Sequence, residues 1–85
     1  MFYKVKSIEP LDNFILYITF ENGVKKYYDL KLIFDKWQEF RVLQNNNVLF
    51  SNVKVDAGGY GISWNSNIDL SCNELWNNGV ENLEI

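Results

Sequence analysis

The sequence contains no histidine, one cysteine and one proline among its 85 residues. Histidine is the commonest general base near neutral pH and the commonest metal ligand, so its absence excludes catalytic triads built on histidine. The lone Cys72 cannot form an intrachain disulfide, which fits a reducing compartment. We therefore expect no enzyme activity, with no catalytic residue, no bound metal and no cofactor.

Positive charge and long apolar runs are also scarce. Eight Lys and Arg residues against eleven Asp and Glu residues give a formal net charge of −3, and Arg41 is the only arginine. This balance disfavours direct binding of DNA or RNA, which requires clustered cations. No run of about 18 apolar residues is present, and the stretch from Met1 to Lys6 lacks the apolar segment of a signal peptide. We expect a protein that crosses no membrane and stays in the cytoplasm.

Apolar material is abundant, since hydrophobic residues make up 47% of the chain and aromatic residues 16%. That is enough for a packed core and too much for a disordered tail. A chain of this length corresponds to one compact domain. We therefore expect a small single α+β domain over residues 1–85 and no second domain.

The first half of the chain predicts a meander of three strands. Residues 3–8 and 14–20 both resemble strands, and the even-numbered residues of the second run are all apolar, so we expect this face to be buried. The Asn-Gly pair at 22–23 predicts a tight turn into a third strand. The register stays open, because a bulge at Gly23 decides whether Lys25 or Lys26 shares the buried face.

The second half predicts a helix, a further hairpin and a second short helix. Asp29 is placed to cap a helix whose apolar stripe is Leu30, Ile33, Phe34 and Trp37. Two strands, near 53–55 and 62–64, surround a glycine-rich turn. Ser71 and Glu74 form a capping box, and Gly79 is expected to end that helix. Residues 80–85 show no pattern, so the order is βββ-α-ββ-α, with short helices packed on an antiparallel sheet.

Three polar or reactive features each have a structural and a functional interpretation. Asp56 and Asp69 form the plausible carboxylate pair, but each adjoins a predicted strand end where backbone hydrogen bonding explains it. Residues 58–61 suggest a phosphate loop, yet the motif lacks the Gly-x-x-x-x-Gly-Lys spacing and a hairpin turn is favoured. Cys72 is interpreted as a small apolar residue in a helix first turn, with a reactive thiolate as the alternative.

Aromatic side chains supply the candidate interaction surface. Three Trp, five Tyr and six Phe residues are many for one small core to enclose. Five of them are candidates for either the core or a surface that binds a ligand or partner: Tyr27, Tyr28, Tyr60, Trp64 and Trp76. The predicted interaction surface consists of Tyr60, Trp64, Asp69 and Trp76.

An ordered set of short motifs carries a family resemblance. The motifs run in the order Phe20-Glu21-Asn22-Gly23, Tyr28-Asp29-Leu30, Phe40-x-x-Leu43, Phe50-x-x-Val53, and Ile62-x-Trp64 leading to Asp69-Leu70. From about Val5 to Trp76 the chain resembles the bacterial family catalogued as domain of unknown function 2442. One departure is the turn after Trp64, which reads Asn-Ser-Asn where many members have Trp-Pro followed by a polar residue and Gly.

The resemblance implies a compact α+β domain similar to the amino-terminal domain of members that are fused to a helix-turn-helix module, although no such module is predicted in these residues. It also implies a neighbouring gene for a small partner protein, in the manner of toxin–antitoxin or regulatory pairs. The family supplies no activity and no catalytic residue.

Three functions remain open at this point. The leading hypothesis is a non-catalytic protein-interaction module, the regulatory or antitoxin-like member of a two-gene pair. The second is a self-associating structural domain that forms a symmetric dimer through an edge strand or an aromatic face. The third is an enzyme or a small-ligand binder that uses Asp56, Asp69 and Tyr60.

Overall fold

A computed structural model describes residues 1–82, which form an α+β domain with two antiparallel sheets of three strands each. The strands are β1 (Val5–Pro10), β2 (Ile15–Phe20), β3 (Lys25–Asp29), β4 (Lys54–Val55), β5 (Gly61–Asn65) and β6 (Ile68–Ser71). The helices are α1 (Asn47–Ser51) and α2 (Cys72–Asn78). Strands 1 to 3 form one sheet in chain order, and strands 4 to 6 form the other. The predicted fold class is confirmed, and the segment after the second hairpin adds a strand to it.

The turn between β2 and β3 settles the register that the sequence left open. Gly23 has a φ of +91°, its N–H donates to the Phe20 carbonyl at 2.9 Å, and the Phe20 N–H donates to the Val24 carbonyl at 2.8 Å. The turn therefore carries the bulge at Gly23. As a result Ile18 pairs with Lys26, so that Lys26 and not Lys25 lies on the face of the buried residues.

The even-numbered face of β2 is buried, as predicted. Leu16, Ile18 and Phe20 are each 0% exposed. They belong to one core to which both sheets and the helical segments contribute. Other members of this core are Leu30, Phe40, Leu43, Phe50, Ile62, Trp64, Leu70 and Leu75. The two sheets adjoin along β1, which contacts β4 and β5. Each fully buried Leu, Ile or Phe side chain contributes about 1.5–3 kcal/mol relative to an exposed one.

The segment after β3 is helical, but it consists of 3₁₀ turns where the sequence predicted a continuous helix. The Lys31 N–H donates to Asp29 Oδ1 at 3.0 Å, which confirms the predicted cap. The 3₁₀ turns cover Leu30–Ile33 and Gln38–Asn45, and between them Trp37 is extended, with φ −126° and ψ 107°. The predicted apolar stripe still packs inward, since Leu30, Ile33 and Phe34 are buried and Trp37 is packed against the core. The burial of the stripe is therefore retained, while the extended Trp37 divides the segment into two 3₁₀ turns.

Side-chain caps close the β5–β6 turn and begin α2. Asn65 Oδ1 accepts from the N–H groups of Asn67 and Ile68 at 2.8 and 3.0 Å, which closes the turn after Trp64. Ser71 Oγ accepts from the Glu74 N–H at 3.1 Å, as the capping box predicts. The Glu74 carboxylate, however, binds other side chains, so only one half of the box is formed.

Gly79 follows α2 with an extended backbone (φ −76°, ψ 157°) and not with a positive φ, and the space around it admits no side chain. A Cβ atom at this position would lie 2.5 Å from the Leu75 carbonyl oxygen. Val80 then pairs with Tyr27 at the outer edge of β3. The Tyr27 N–H donates to the Val80 carbonyl at 2.7 Å, and the Val80 N–H donates to the Tyr27 carbonyl at 2.8 Å. No element was predicted for residues 80–85, of which 83–85 lie outside the described residues.

Candidate interaction surface

The four predicted surface residues do not lie together. Trp64 is 4% exposed, its Nε1 donates to the Phe50 carbonyl at 3.0 Å, and its ring meets Phe40 edge to face at 5.8 Å. Trp64 is therefore a core residue, and its placement on an interaction surface was wrong. Tyr60 is 50% exposed, Trp76 is half-buried, and Asp69 is exposed on β6. Two of these, Tyr60 and Trp76, are connected through the N-terminal segment.

Phe2 and Tyr3 join Tyr60 and Trp76 into one aromatic surface. The Phe2 ring meets the Tyr60 ring edge to face, with centroids 5.6 Å apart. The Tyr3 ring stacks on the Trp76 ring, with centroids 3.8 Å apart and planes 9° from parallel. The backbone joins the two pairs, since the Cys72 N–H donates to the Tyr60 carbonyl at 2.8 Å and Trp76 lies one helical turn beyond Cys72. We call Phe2, Tyr3, Tyr60 and Trp76 the aromatic surface.

Two lysines flank the aromatic surface. Lys4 Nζ lies 5.0 Å from the centroid of the Tyr60 ring, and Lys26 Nζ lies 4.1 Å from the centroid of the Trp76 ring. Lys26 Nζ also donates to the Trp76 carbonyl oxygen at 2.6 Å. Cations over aromatic faces are attracted by the ring quadrupole. The surface thus combines exposed apolar rings with positive charge in a chain whose net charge is −3.

Sequence reasoning missed Phe2, Tyr3 and both lysines. The available signal was the pair of consecutive aromatic residues before the first strand. In the structure Phe2 meets Tyr60, and Tyr3 meets Trp76. Neither partner is close in sequence, so the pairing depends on how the two ends of the domain meet.

The candidate carboxylates belong to the polar face of the second sheet. Asp56 Oδ1 accepts from Ser63 Oγ at 2.6 Å, and Ser63 pairs with Asp69 across β5 and β6. Asp56 and Asp69 are therefore neighbours of the same serine. Within residues 1–82 no group of three or more Cys, Asp or Glu side chains is arranged to hold a metal ion.

The glycine-rich stretch is a hairpin turn, as the favoured interpretation predicted. Gly58 and Gly59 have φ values of +78° and +81° in the connection between β4 and β5. The turn packs against β1 so closely that a Cβ on Gly59 would lie 2.6 Å from the Val5 carbonyl oxygen. Cys72 is the first residue of α2 and is 1% exposed, which agrees with its interpretation as a small apolar residue.

A smaller polar site lies between β3 and α2. Tyr28 Oη donates to Glu74 Oε2 at 2.8 Å, and Asn78 Nδ2 donates to the same oxygen at 2.8 Å. These residues line a pocket of about 230 Å³ together with Asp29 and Lys36. Burial raises the pKa of the Tyr28 phenol, and the hydrogen bond to Glu74 and its negative charge raise it further. The phenol is therefore held in its neutral, donating form.

Among residues 1–82, every helix falls short of the length and apolar character that spanning a membrane requires. The described residues instead define a small α+β domain of two antiparallel sheets, with an aromatic surface where its N-terminal segment meets α2.

The chain belongs to the family described as "Protein of unknown function (DUF2442)", whose sequence profile matches residues 5–81. Phe2 and Tyr3 precede the matched residues. No curated protein and no solved structure matches the chain.

Proposed function

We propose that this protein is a non-catalytic protein-interaction module that binds its partner through the aromatic surface, and that it is the regulatory or antitoxin-like member of a two-gene pair. One observation carries the proposal: Phe2 and Tyr60, which are 60% and 50% exposed, form an aromatic pair, and the next residue, Tyr3, stacks on Trp76. The proposal places the protein in the cytoplasm, where a reducing environment suits a chain with a single cysteine.

Aromatic residues dominate the energetics of many interfaces, because they bury a large apolar area with little loss of conformational freedom. Here the rings are already held in place by each other, since Tyr3 stacks on Trp76 and Phe2 meets Tyr60. Rings held in place in the free protein lose less entropy on binding. Lys4 beside Tyr60 adds a positive charge, which suits a partner with an acidic group beside its apolar contact.

The first test is co-purification with the product of a neighbouring gene. The variant Phe2→Ala/Tyr60→Ala removes the exposed pair, and Leu32→Ala/Val48→Ala is the matched control, because both of those residues are 75% exposed and lie outside the aromatic surface. We expect a complex with the wild-type chain and with the control, and at least a tenfold weaker complex, about 1.4 kcal/mol, with the double variant. Equal retention by all three proteins would contradict the assignment of the surface.

Light scattering on the isolated protein tests the competing hypothesis of self-association. The proposal predicts a monomer that forms a heteromeric complex when the partner is added. A dimer that becomes monomeric in Phe2→Ala/Tyr60→Ala would instead assign the aromatic surface to a second copy of this chain.

A growth assay tests the regulatory part of the proposal. We expect expression of the partner alone to slow bacterial growth, and co-expression of this chain to restore it. The Phe2→Ala/Tyr60→Ala variant should restore growth less well than the Leu32→Ala/Val48→Ala control. A partner that binds but has no effect on growth would leave the interaction module intact and remove the antitoxin-like role.

A further inference from the structure

A cleft of about 790 Å³ lies between the β1–β2 connection and the helical segment that ends in α1. Its volume falls within the range of about 300–1,000 Å³ that small-molecule sites occupy. The aromatic surface contributes no residue to it. The cleft is therefore a separate feature that the interaction proposal does not use.

The polar lining of the cleft is made of amides, one hydroxyl and one carboxylate. These side chains are Asp12, Asn13, Gln44, Asn47 and Ser51. Within residues 1–82 none of these five side chains donates or accepts a hydrogen bond, and the bond from Lys31 to Asn13 is made to the main-chain carbonyl. Their donors and acceptors are thus free to bind a ligand.

One wall of the cleft has a fixed and strained backbone. Asn13 and Phe14 have φ values of 61° and 60°, a left-handed conformation that costs a bulky residue such as Phe about 1–2 kcal/mol. The Phe14 ring holds this conformation by meeting Phe34 and Phe50 edge to face, with centroids 5.4 and 5.3 Å away. Lys31 Nζ also donates to the Asn13 carbonyl. Strain of this kind concentrates at functional sites, where a preformed shape lowers the entropy lost on binding.

We propose that this cleft binds a neutral carbohydrate of one or two sugar rings. Asp12 is the only charged residue in its lining, so an anionic ligand would meet repulsion and no compensating cation. Sugar hydroxyls both donate and accept hydrogen bonds, as the amides of Asn13, Gln44 and Asn47 do, and a carboxylate accepts from two of them. The half-buried Phe14 supplies an apolar contact for the C–H face of a sugar ring, and the buried Phe50 supports the Phe14 ring from below.

Amide chemical shifts of the full chain, followed by NMR, test the proposal. The probes are maltose, cellobiose, trehalose and N,N′-diacetylchitobiose, with glucose 6-phosphate as the anionic comparison. We expect at least one neutral disaccharide to shift the amide signals of residues 11–14 and 44–51 in a saturable way. Glucose 6-phosphate should bind at least tenfold more weakly.

A pair of matched variants locates the binding. Gln44→Ala/Asn47→Ala removes two lining amides, whereas Gln38→Ala/Asn45→Ala removes the same groups from exposed positions outside the cleft. We expect binding about tenfold weaker in the first and unchanged in the second. If the first variant loses its dispersed spectrum, Gln44→Ala and Ser51→Ala are titrated singly, each with an expected weakening of about threefold.

Three results would overturn the proposal. The first is that no disaccharide shifts the cleft signals, and the second is that glucose 6-phosphate binds as tightly as the neutral sugars. The third is that the lining variants bind like the wild type. None of these results bears on the aromatic surface, which is tested by partner binding.

Discussion

Lys26 Nζ donates to the Trp76 carbonyl oxygen at 2.6 Å while lying 4.1 Å from the centroid of the Trp76 ring. The carbonyl belongs to the last turn of α2, where the helix has unpaired acceptors and a partial negative charge. One lysine on β3 thus binds the end of the second helix and one face of the aromatic surface. The Gly23 bulge makes this contact possible, because it turns Lys26 and not Lys25 inward.

The first prediction concerns these two lysines. Lys26→Met should lower the free energy of unfolding by about 1–3 kcal/mol, because it removes a charged hydrogen bond, a helix-end cation and a cation–π contact. Lys25→Met changes the adjacent exposed lysine and should alter stability by less than about 0.5 kcal/mol. Urea unfolding measures both. Equal losses of stability in the two variants would mean that the contact between Lys26 and Trp76 contributes nothing to the free energy of unfolding.

The second prediction concerns Trp64. Trp64→Phe should destabilise the protein by about 2–4 kcal/mol, because it leaves the buried Phe50 carbonyl without its donor and reduces the volume of a packed side chain. Tyr60→Ala should cost about 1 kcal/mol or less, since half of that side chain is exposed. The measurement is equilibrium unfolding followed by circular dichroism. A Trp64 variant as stable as the wild type would contradict the buried, hydrogen-bonded position of this residue.

The third prediction concerns pH. The raised pKa of Tyr28 means that the folded protein holds the phenolic proton more tightly than the unfolded chain does. This contribution to stability is fully present below about pH 10, the ordinary pKa of tyrosine, and is lost as the pH rises from there towards the folded pKa. The unfolding free energy should therefore fall above about pH 10.

The control for the pH prediction is Tyr28→Phe, which removes the phenol and its hydrogen bond to Glu74. It should be less stable at neutral pH by about 1–2 kcal/mol and should lose less stability than the wild type above about pH 10. Parallel pH profiles of the two proteins would show that Tyr28 titrates alike in the folded and unfolded chains.

The fourth prediction compares two glycines with positive φ. Gly23→Ala places a Cβ in open space and should cost about 1–2 kcal/mol through backbone strain alone. Gly59→Ala has a similar φ of +81° but also brings the Cβ to 2.6 Å from the Val5 carbonyl oxygen. It should cost about 1–3 kcal/mol more than Gly23→Ala, because the turn must move away from β1. Thermal unfolding of both variants gives the difference, and equal losses would contradict the close packing.

Features that depend on neighbouring residues could be predicted from the sequence. The positive φ at Gly23, the caps at Asp29 and Ser71, and the buried even-numbered face of β2 are all present. Each depends on one residue's conformational range, on a side chain within three positions of its backbone partner, or on strand alternation. Because these determinants lie within a few residues of one another in the chain, a single sequence is enough to find them.

The candidate site was predicted less well, and Trp64 and Trp76 show why. Both are tryptophans near the end of a predicted element, and composition gives no reason to separate them. Trp64 lies on the inner face of β5, where its indole N–H donates to the Phe50 carbonyl. The Trp76 ring instead stacks with Tyr3 and contacts the Lys26 ammonium group. The partners are 14, 73 and 50 positions away in the chain, which no local pattern encodes.

By itself, the sequence determined the α+β class, the positions of the turns and caps, and the residues with the strongest tendency to be buried. Only the tertiary structure decided that the strands divide into two sheets, that the first helical segment is 3₁₀, and that Phe2 and Tyr3 complete an aromatic surface. The physical reason is that local preferences act over three or four residues. The choice among long-range contacts depends instead on how all apolar faces are buried together.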